Sequence, residues 1–456
     1  MKTENPLPTA MDGQVQNATG TSGGLPPGER GLPLIGETCA YLANGYEFIE
    51  RRRGSFGPVF RTSLLGRPTA VISGPDACAV WIDPEKIQRE GSMPPHIQEI
   101  FGGRSLPLLD GSEHLERKLQ VLAGFGREAL EGYLPQLEEV TQRLLDQWAK
   151  SEEIIATEEF KRLAIEGICR NVMSLEPGPT TDAIRANFCR LAAGMTALPI
   201  PIPGSTYRSA IAARDRLFAT FDDLIRQHRA KPLNDGLSRI LDAKAEDGTS
   251  ITDAAARLEL HHIVIAGYVI FAEFTATLLH LSRNPDVAAK LREEVSRESP
   301  SGPVGFDVLR KMPYLLQVMM EVKRLCPILP AIFGKAKSSF EFKGYTIPKG
   351  WMVIWAIRST HLDPGIYQTP DRFDPDRFSP GRAEQNKHEH AFSPHGPGTY
   401  GGHKCPGTDY ASLFMDILTI QLLRDFMWEL PPQDLEYNWR LTPPEPKDGL
   451  RLRLRR

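Results

Sequence analysis

The stretch from Phe392 to Gly407, F-S-P-H-G-P-G-T-Y-G-G-H-K-C-P-G, presents one cysteine from a glycine-rich loop just before a helical stretch. At a helix N-terminus the dipole and unpaired backbone N–H groups favour a thiolate, and glycines let a loop approach a flat macrocycle closely. Cys405 is therefore a candidate axial ligand to a heme iron. A buried structural thiol is the plain alternative, and the loop alone leaves the two balanced.

Two further patterns lie upstream. Glu321 and Arg324 sit at i,i+3 in an apolar helical stretch, where they can pair on one face. Phe373-Asp374-Pro375-Asp376-Arg377-Phe378 is a proline-kinked segment that offers a second arginine. These three motifs, in this order from Glu321 to Gly407, resemble those of the cytochrome P450 family. The resemblance implies a mainly α fold with a smaller β region, and heme b (iron protoporphyrin IX) as cofactor. It also implies that Glu321, Arg324 and Arg377 form a buried ionic network behind the cysteine loop, in which loss of one partner costs about 3–5 kcal/mol.

The likeness runs through most of the chain. Pro26-Pro27-Gly28 and Gly31 to Gly36 resemble the family's proline-rich beginning, and Val59 to Ile72, turning at Leu65-Gly66-Arg67-Pro68, reads as its first hairpin. Residues 25–456 are expected to form a single heme-thiolate catalytic domain. Residues 1–24, rich in Asn, Thr, Gly and Ser, read as a flexible tail. Leu198 to Gly204 and Pro446 to Leu450 resemble bacterial and cyanobacterial retinoid-hydroxylase-like members. The cysteine loop is instead similar to that of bacterial members that use hydrogen peroxide on fatty acids. Position 398 holds Gly where the common loop has Phe, and about three extra residues precede Cys405.

From the resemblance, the heme propionates would be held by His114 and Lys118, by His403 two residues before the cysteine, and by Lys335. Lysine is a point charge that cannot grip a carboxylate bidentately, so a looser clamp than arginine gives is expected. For His114 and Lys118, an exposed charged helix face is the competing reading.

The apolar run Ile263-Val264-Ile265-Ala266-Gly267 matches the family's oxygen-binding helix, read here as one long helix near Leu258 to Leu281. The resemblance places the catalytic span at Ala266, Gly267, Val269 and Ile270. Dioxygen-using members carry an acid and a threonine where Val269 and Ile270 stand. Proton delivery by such a pair is commonly worth about 10²- to 10⁴-fold, and neither aliphatic residue can supply it. On a regular helix Glu273 lies roughly 6 Å beyond Val269, and Thr275 is turned roughly 140° from Ile270. Both read as a polar helix face, and His261 and His262 as ordinary helix residues.

A net charge of −3 and a pI near 6.4 leave no footprint for nucleic acid. Arg451, Arg453, Arg455 and Arg456 alternate with leucines and read as an edge strand with one charged face. No run of 18 or more apolar residues and no signal-peptide pattern occur, so no stable membrane anchor and a cytoplasmic location are expected. Six cysteines without C-x-x-C or zinc spacing suit a reducing compartment, with five of them structural.

The resemblance leaves three function classes open for a lipophilic substrate such as an isoprenoid. These are a monooxygenase fed by a ferredoxin or reductase, a hydrogen-peroxide-dependent peroxygenase, and a redox-neutral rearrangement, dehydration or cyclisation. Ile97, Ile100, Phe101, Ile332 and Phe333 are its candidate pocket residues, with Met195 to Pro203 near the substrate entrance.

Overall fold

The computed structural model describes residues 23–399 and 402–456. Most of the tail expected over residues 1–24 lies outside the described residues. Gly23 and Gly24 are already tied down, since Thr346 donates from Oγ1 to Gly23 O at 3.2 Å and from its backbone N–H to Gly24 O at 2.9 Å.

Long amphipathic helices build the larger part of the molecule. Helix Arg127–Trp148 buries Leu130, Leu134, Leu137 and Leu144, a stripe at spacings of three, four and seven that gives it one apolar face. Helices Ala156–Met173, Thr206–Ala230 and Thr408–Asp425 bring similar stripes to the same core. Through this core runs the apolar pair Asp253–Tyr268 and Phe271–Arg283. Thr252 starts the first of these by accepting the Ala255 N–H on its hydroxyl at 3.2 Å, so that one otherwise unpaired donor is satisfied. The stretch is long and apolar enough to cross a membrane by composition, but 78% of its most apolar window is buried inside the fold.

The single long helix expected near residues 258–281 is two helices. Val269 and Ile270 form the break, and their N–H groups both reach Gly267 O, Ile270 at 3.4 Å, in place of the carbonyls four residues back. Ile265 and Ala266 thereby lose the donors that an uninterrupted ladder would give them.

The smaller β region centres on a five-stranded sheet in the order Val59–Leu64, Arg67–Ile72, Met352–Trp355, Ile332–Ala336, Ile87–Gln88. Leu64 pairs with Arg67 around a two-residue loop whose φ values, 52° at Leu65 and 71° at Gly66, suit the twist of a hairpin. Arg451–Arg455 is a strand, as expected, but it lies between Ile154–Ile155 and Met427–Glu429, so it is central where an edge was expected. Its leucines face the main core, which fixes that position. Cys78, Cys169 and Cys326 are buried and fit a structural part, whereas Cys39 and Cys189 are exposed and support no core.

Candidate active site

Helix Thr408–Asp425 begins three residues after Cys405, and the Thr408 hydroxyl donates to Cys405 O at 2.8 Å. Upstream, the Cys405 N–H donates to His395 O at 2.9 Å and closes the long loop on itself. Gly396 makes the closure possible: its φ is +90°, and a Cβ there would come within 3.1 Å of His403 O. Burial pushes the Cys405 thiol up. The Gly407 N–H and the Lys118 and Lys404 charges pull it down, while the Glu273 charge raises it further. The net direction is upward, so the helix end alone does not make this sulfur a thiolate. A coordinated metal ion would, because coordination deprotonates a thiol outright.

Behind the loop, Glu321, Arg324 and Arg377 are fully buried. Glu321 accepts from Arg324 Nε at 2.7 Å and Nη2 at 2.8 Å, from Arg377 Nε at 3.0 Å, and from the Asp374 N–H at 2.9 Å. A second carboxylate, Glu384, balances the extra cation by accepting from Arg377 Nη1 at 2.8 Å. Arg324 also donates to His361 O at 2.8 Å, and His361 Nε2 accepts the Ser393 N–H at 3.0 Å. The ionic network is thus linked through His361 to the start of the cysteine loop.

His114 and Lys118 do not form an exposed charged face; both are buried on helix Gly111–Leu122. The His114 and His403 rings lie 4.0 Å apart, and Lys118 donates to the carbonyls of Gly402 and Lys404. Arg89, which no motif in the sequence marks, joins them. It is buried, stacks over Trp81 at 4.8 Å, and is flanked by Asp110, which accepts its backbone N–H at 2.8 Å. Burial together with the Arg89, His114 and Lys118 charges pushes the His403 ring down to about 2. Burial and Lys118 push His114 to about 4, and burial lowers Lys118 to about 8.

Basic groups crowded out of water around a cysteine loop suit an acidic ligand with two carboxylates, and heme propionates meet that description. Lys335 stands on the neighbouring strand, with its side chain 3.9 Å from the point where a Cβ on Gly91 would sit. Arg89, His114, Lys118, His403 and Lys335 are the residues that could hold such a group, and Cys405 the one that could bind its iron.

The residues read as the oxygen-side span separate into different surroundings. Gly267 is wedged against helix Ala156–Met173, where a Cβ would meet Ile168 Cγ1 at 2.2 Å, so its smallness serves helix packing. Ile270 is part of the main core, and Ala266 and Val269 are half-buried. Thr275 donates to Phe271 O at 2.8 Å, within its own helix. Glu273 is not on a polar outer face: it is fully buried, and its Oε1 meets His395 Nε2 at 2.7 Å. Burial opposes its charge, but the His395 ring and Lys323 outweigh that and hold the carboxyl below its ordinary range.

Ile100 is fully enclosed in the main core, while Ile97 and Phe101 are half-buried. Ile332 packs with the core that holds Trp81 and Ile87, and Phe333 with the one that holds Phe48 and Phe60. Adjacent strand residues point to opposite faces, so these two cannot line one wall together. His261 and His262 are ordinary helix residues in part only, because His261 Nε2 donates to Ile100 O at 3.1 Å.

Fold and site together define a heme-thiolate enzyme. The family model described as "Cytochrome P450" matches residues 26–446, and the chain belongs to that family. It is 30% identical over 435 residues to "Putative cytochrome P450 120" of Synechocystis sp., covering 94% of this chain and 96% of the relative. The solved structure "Retinoic acid bound cyanobacterial CYP120A1" is similar with a TM-score of 0.88 and 29% identity, covering 95% of this chain and 99% of the other. A structure of cytochrome P450EX alpha (CYP152N1) with myristic acid is similar with a TM-score of 0.76 and 25% identity, covering 94% and 98%.

Proposed function

We propose that this chain oxidises a lipophilic small molecule of isoprenoid or retinoid type, with Cys405 as axial ligand and with oxygen activation that bypasses an acid–threonine pair. The observation that carries this reading is the meeting of the cysteine loop with the buried basic cluster of Arg89, His114, Lys118 and His403. When bound, heme supplies the redox chemistry for inserting an oxygen atom into the substrate. The chain's own part is to hold and orient. Cys405 would bind the heme iron, and Arg89, His114, Lys118 and His403 would hold the propionates.

Val269 and Ile270 carry no proton. The Ile265 and Ala266 carbonyl oxygens, deprived of their helical donors, are the groups left to hold a water in that turn. Similarity to a protein solved with retinoic acid supports the substrate class. A ferredoxin and its reductase are the electron source of this reading. Six unpaired thiols, two of them exposed, support a reducing, cytoplasmic setting.

A hydrogen-peroxide-dependent reaction is the second reading. The lengthened G-H-K-C-P-G loop and the likeness to a protein solved with myristic acid favour it, and a route that needs no electron transfer tolerates Val269 and Ile270.

The test is turnover of retinoic acid by the heme-loaded enzyme under three regimes: dioxygen with a ferredoxin and reductase, hydrogen peroxide alone, and neither in the absence of air. Product in the first supports the leading reading, product in the second alone supports the peroxide route, and product in the third rejects both. A Cys405→Ser variant should lose the thiolate-type carbon monoxide band, and a retained band rejects the ligand assignment.

A further inference from the structure

One buried pair crosses from the oxygen-side helix to the cysteine loop. Glu273, on helix Phe271–Arg283, is 0% exposed, and its Oε1 lies 2.7 Å from His395 Nε2. His395 in turn accepts the Cys405 N–H on its backbone oxygen at 2.9 Å. The other carboxylate oxygen, Oε2, is buried and has no hydrogen-bond partner among the described residues. Lys323 faces the same carboxylate from helix Pro313–Leu325 and is held by Ser412 Oγ at 2.7 Å.

We propose that Glu273 and His395 are positioning residues for the axial sulfur, a strut that fixes the Cys405 amide and sets a negative charge behind the thiolate. The strut stands in for the apolar cover that the loop lacks, because position 398 is glycine and Phe392 is turned away to stack on His361 at 5.6 Å. A buried hydrogen bond to a charged group is short and geometrically demanding, so it holds the loop against drift of the cysteine. A carboxylate in a low-dielectric interior raises the electron density that the sulfur offers to iron, and so favours the ferric state.

This inference rests on Cys405 as the ligand. The two fail separately: a Cys405→Ser chain that keeps the thiolate-type carbon monoxide band sinks the ligand assignment, whatever the strut does.

The experiment uses the heme-loaded full chain and reads two signals, the ferric/ferrous midpoint potential and the share of thiol-type to thiolate-type carbon monoxide band. Glu273→Gln keeps the shape and an acceptor while removing the charge, and should shift the potential in the positive direction with the band largely retained. His395→Ala frees the loop and should raise the thiol-type share several-fold. In the double variant the potential shift should match that of the larger single change and not the sum, because the two residues act as one unit. An unchanged potential in Glu273→Gln, or strictly additive shifts, overturns the proposal. So does a Glu273→Gln chain that fails to fold, since the pair would then serve the core and not the sulfur.

Discussion

At Glu321 a single carboxylate accepts from two guanidinium groups and a backbone N–H, all out of water. Glu321→Gln would strand the buried Arg324 cation and leave Arg377 to Glu384 alone, and breaking such a network costs about 3–5 kcal/mol. We expect the urea midpoint of the variant to fall accordingly, with most heme lost on gel filtration. A midpoint within error of the parent would show that the network contributes no stability. The Glu321 and Arg324 pair was legible in the sequence because its partners stand three residues apart on one helix. Glu384, Arg89 and the Glu273–His395 bond were not. The last joins residues 122 positions apart, and no spacing rule reaches across that distance.

Helices Asp253–Tyr268 and Phe271–Arg283 act as the frame on which the loop from Ile100 to Leu106 hangs. Glu259 Oε1 accepts the Leu106 N–H at 3.0 Å and Arg117 Nη1 at 3.1 Å, while His261 holds Ile100 O. Between these two anchors lie Gly102 and Gly103, with φ of +80° and +129°. Glu259→Leu leaves the Leu106 N–H and the Arg117 cation without their partner, a loss of about 1–3 kcal/mol that falls on the loop first. Hydrogen exchange at Leu106 should therefore speed up well before the helices exchange, and equal protection in parent and variant would refute the anchor. The apolar run of these helices marked a helical stretch, but the break at Val269 and Ile270 was invisible. Neither residue is a helix breaker by type, and the kink arises where Gly267 is pressed against Ile168.

Across the whole molecule, buried titrating groups set how stability follows pH. Burial lowers His261 to about 4 and His361 to about 3, and it raises Glu259 to about 7. The unfolded chain binds protons at both rings below pH ~6.5 while the folded chain does not, so each ring costs stability as pH falls from there. Glu259 works the other way, because the folded state keeps its proton up to about pH 7. Burial likewise lowers His262 to about 4 and His280 to about 3 and raises Asp416 to about 7, so four rings outweigh two carboxyls. The thermal midpoint should decline as pH drops from 6.5 to 4.5, and a rise over that interval would contradict the assignment. The mainly helical plan with a smaller sheet was readable from the ordered motifs. The central placement of strand Arg451–Arg455 was not, because alternating Leu and Arg specify a face and not a neighbour.

The gathering of Arg89, Lys118 and two proton-starved imidazole rings has a practical consequence for making this protein. Without a dianion beside them the Arg89 and Lys118 cations sit desolvated among neutral rings in a dry interior, so the polypeptide reaches its tightest form once porphyrin arrives. Yield in a host cell should follow the supply of that pigment more closely than the supply of messenger, with surplus chain lost to proteases.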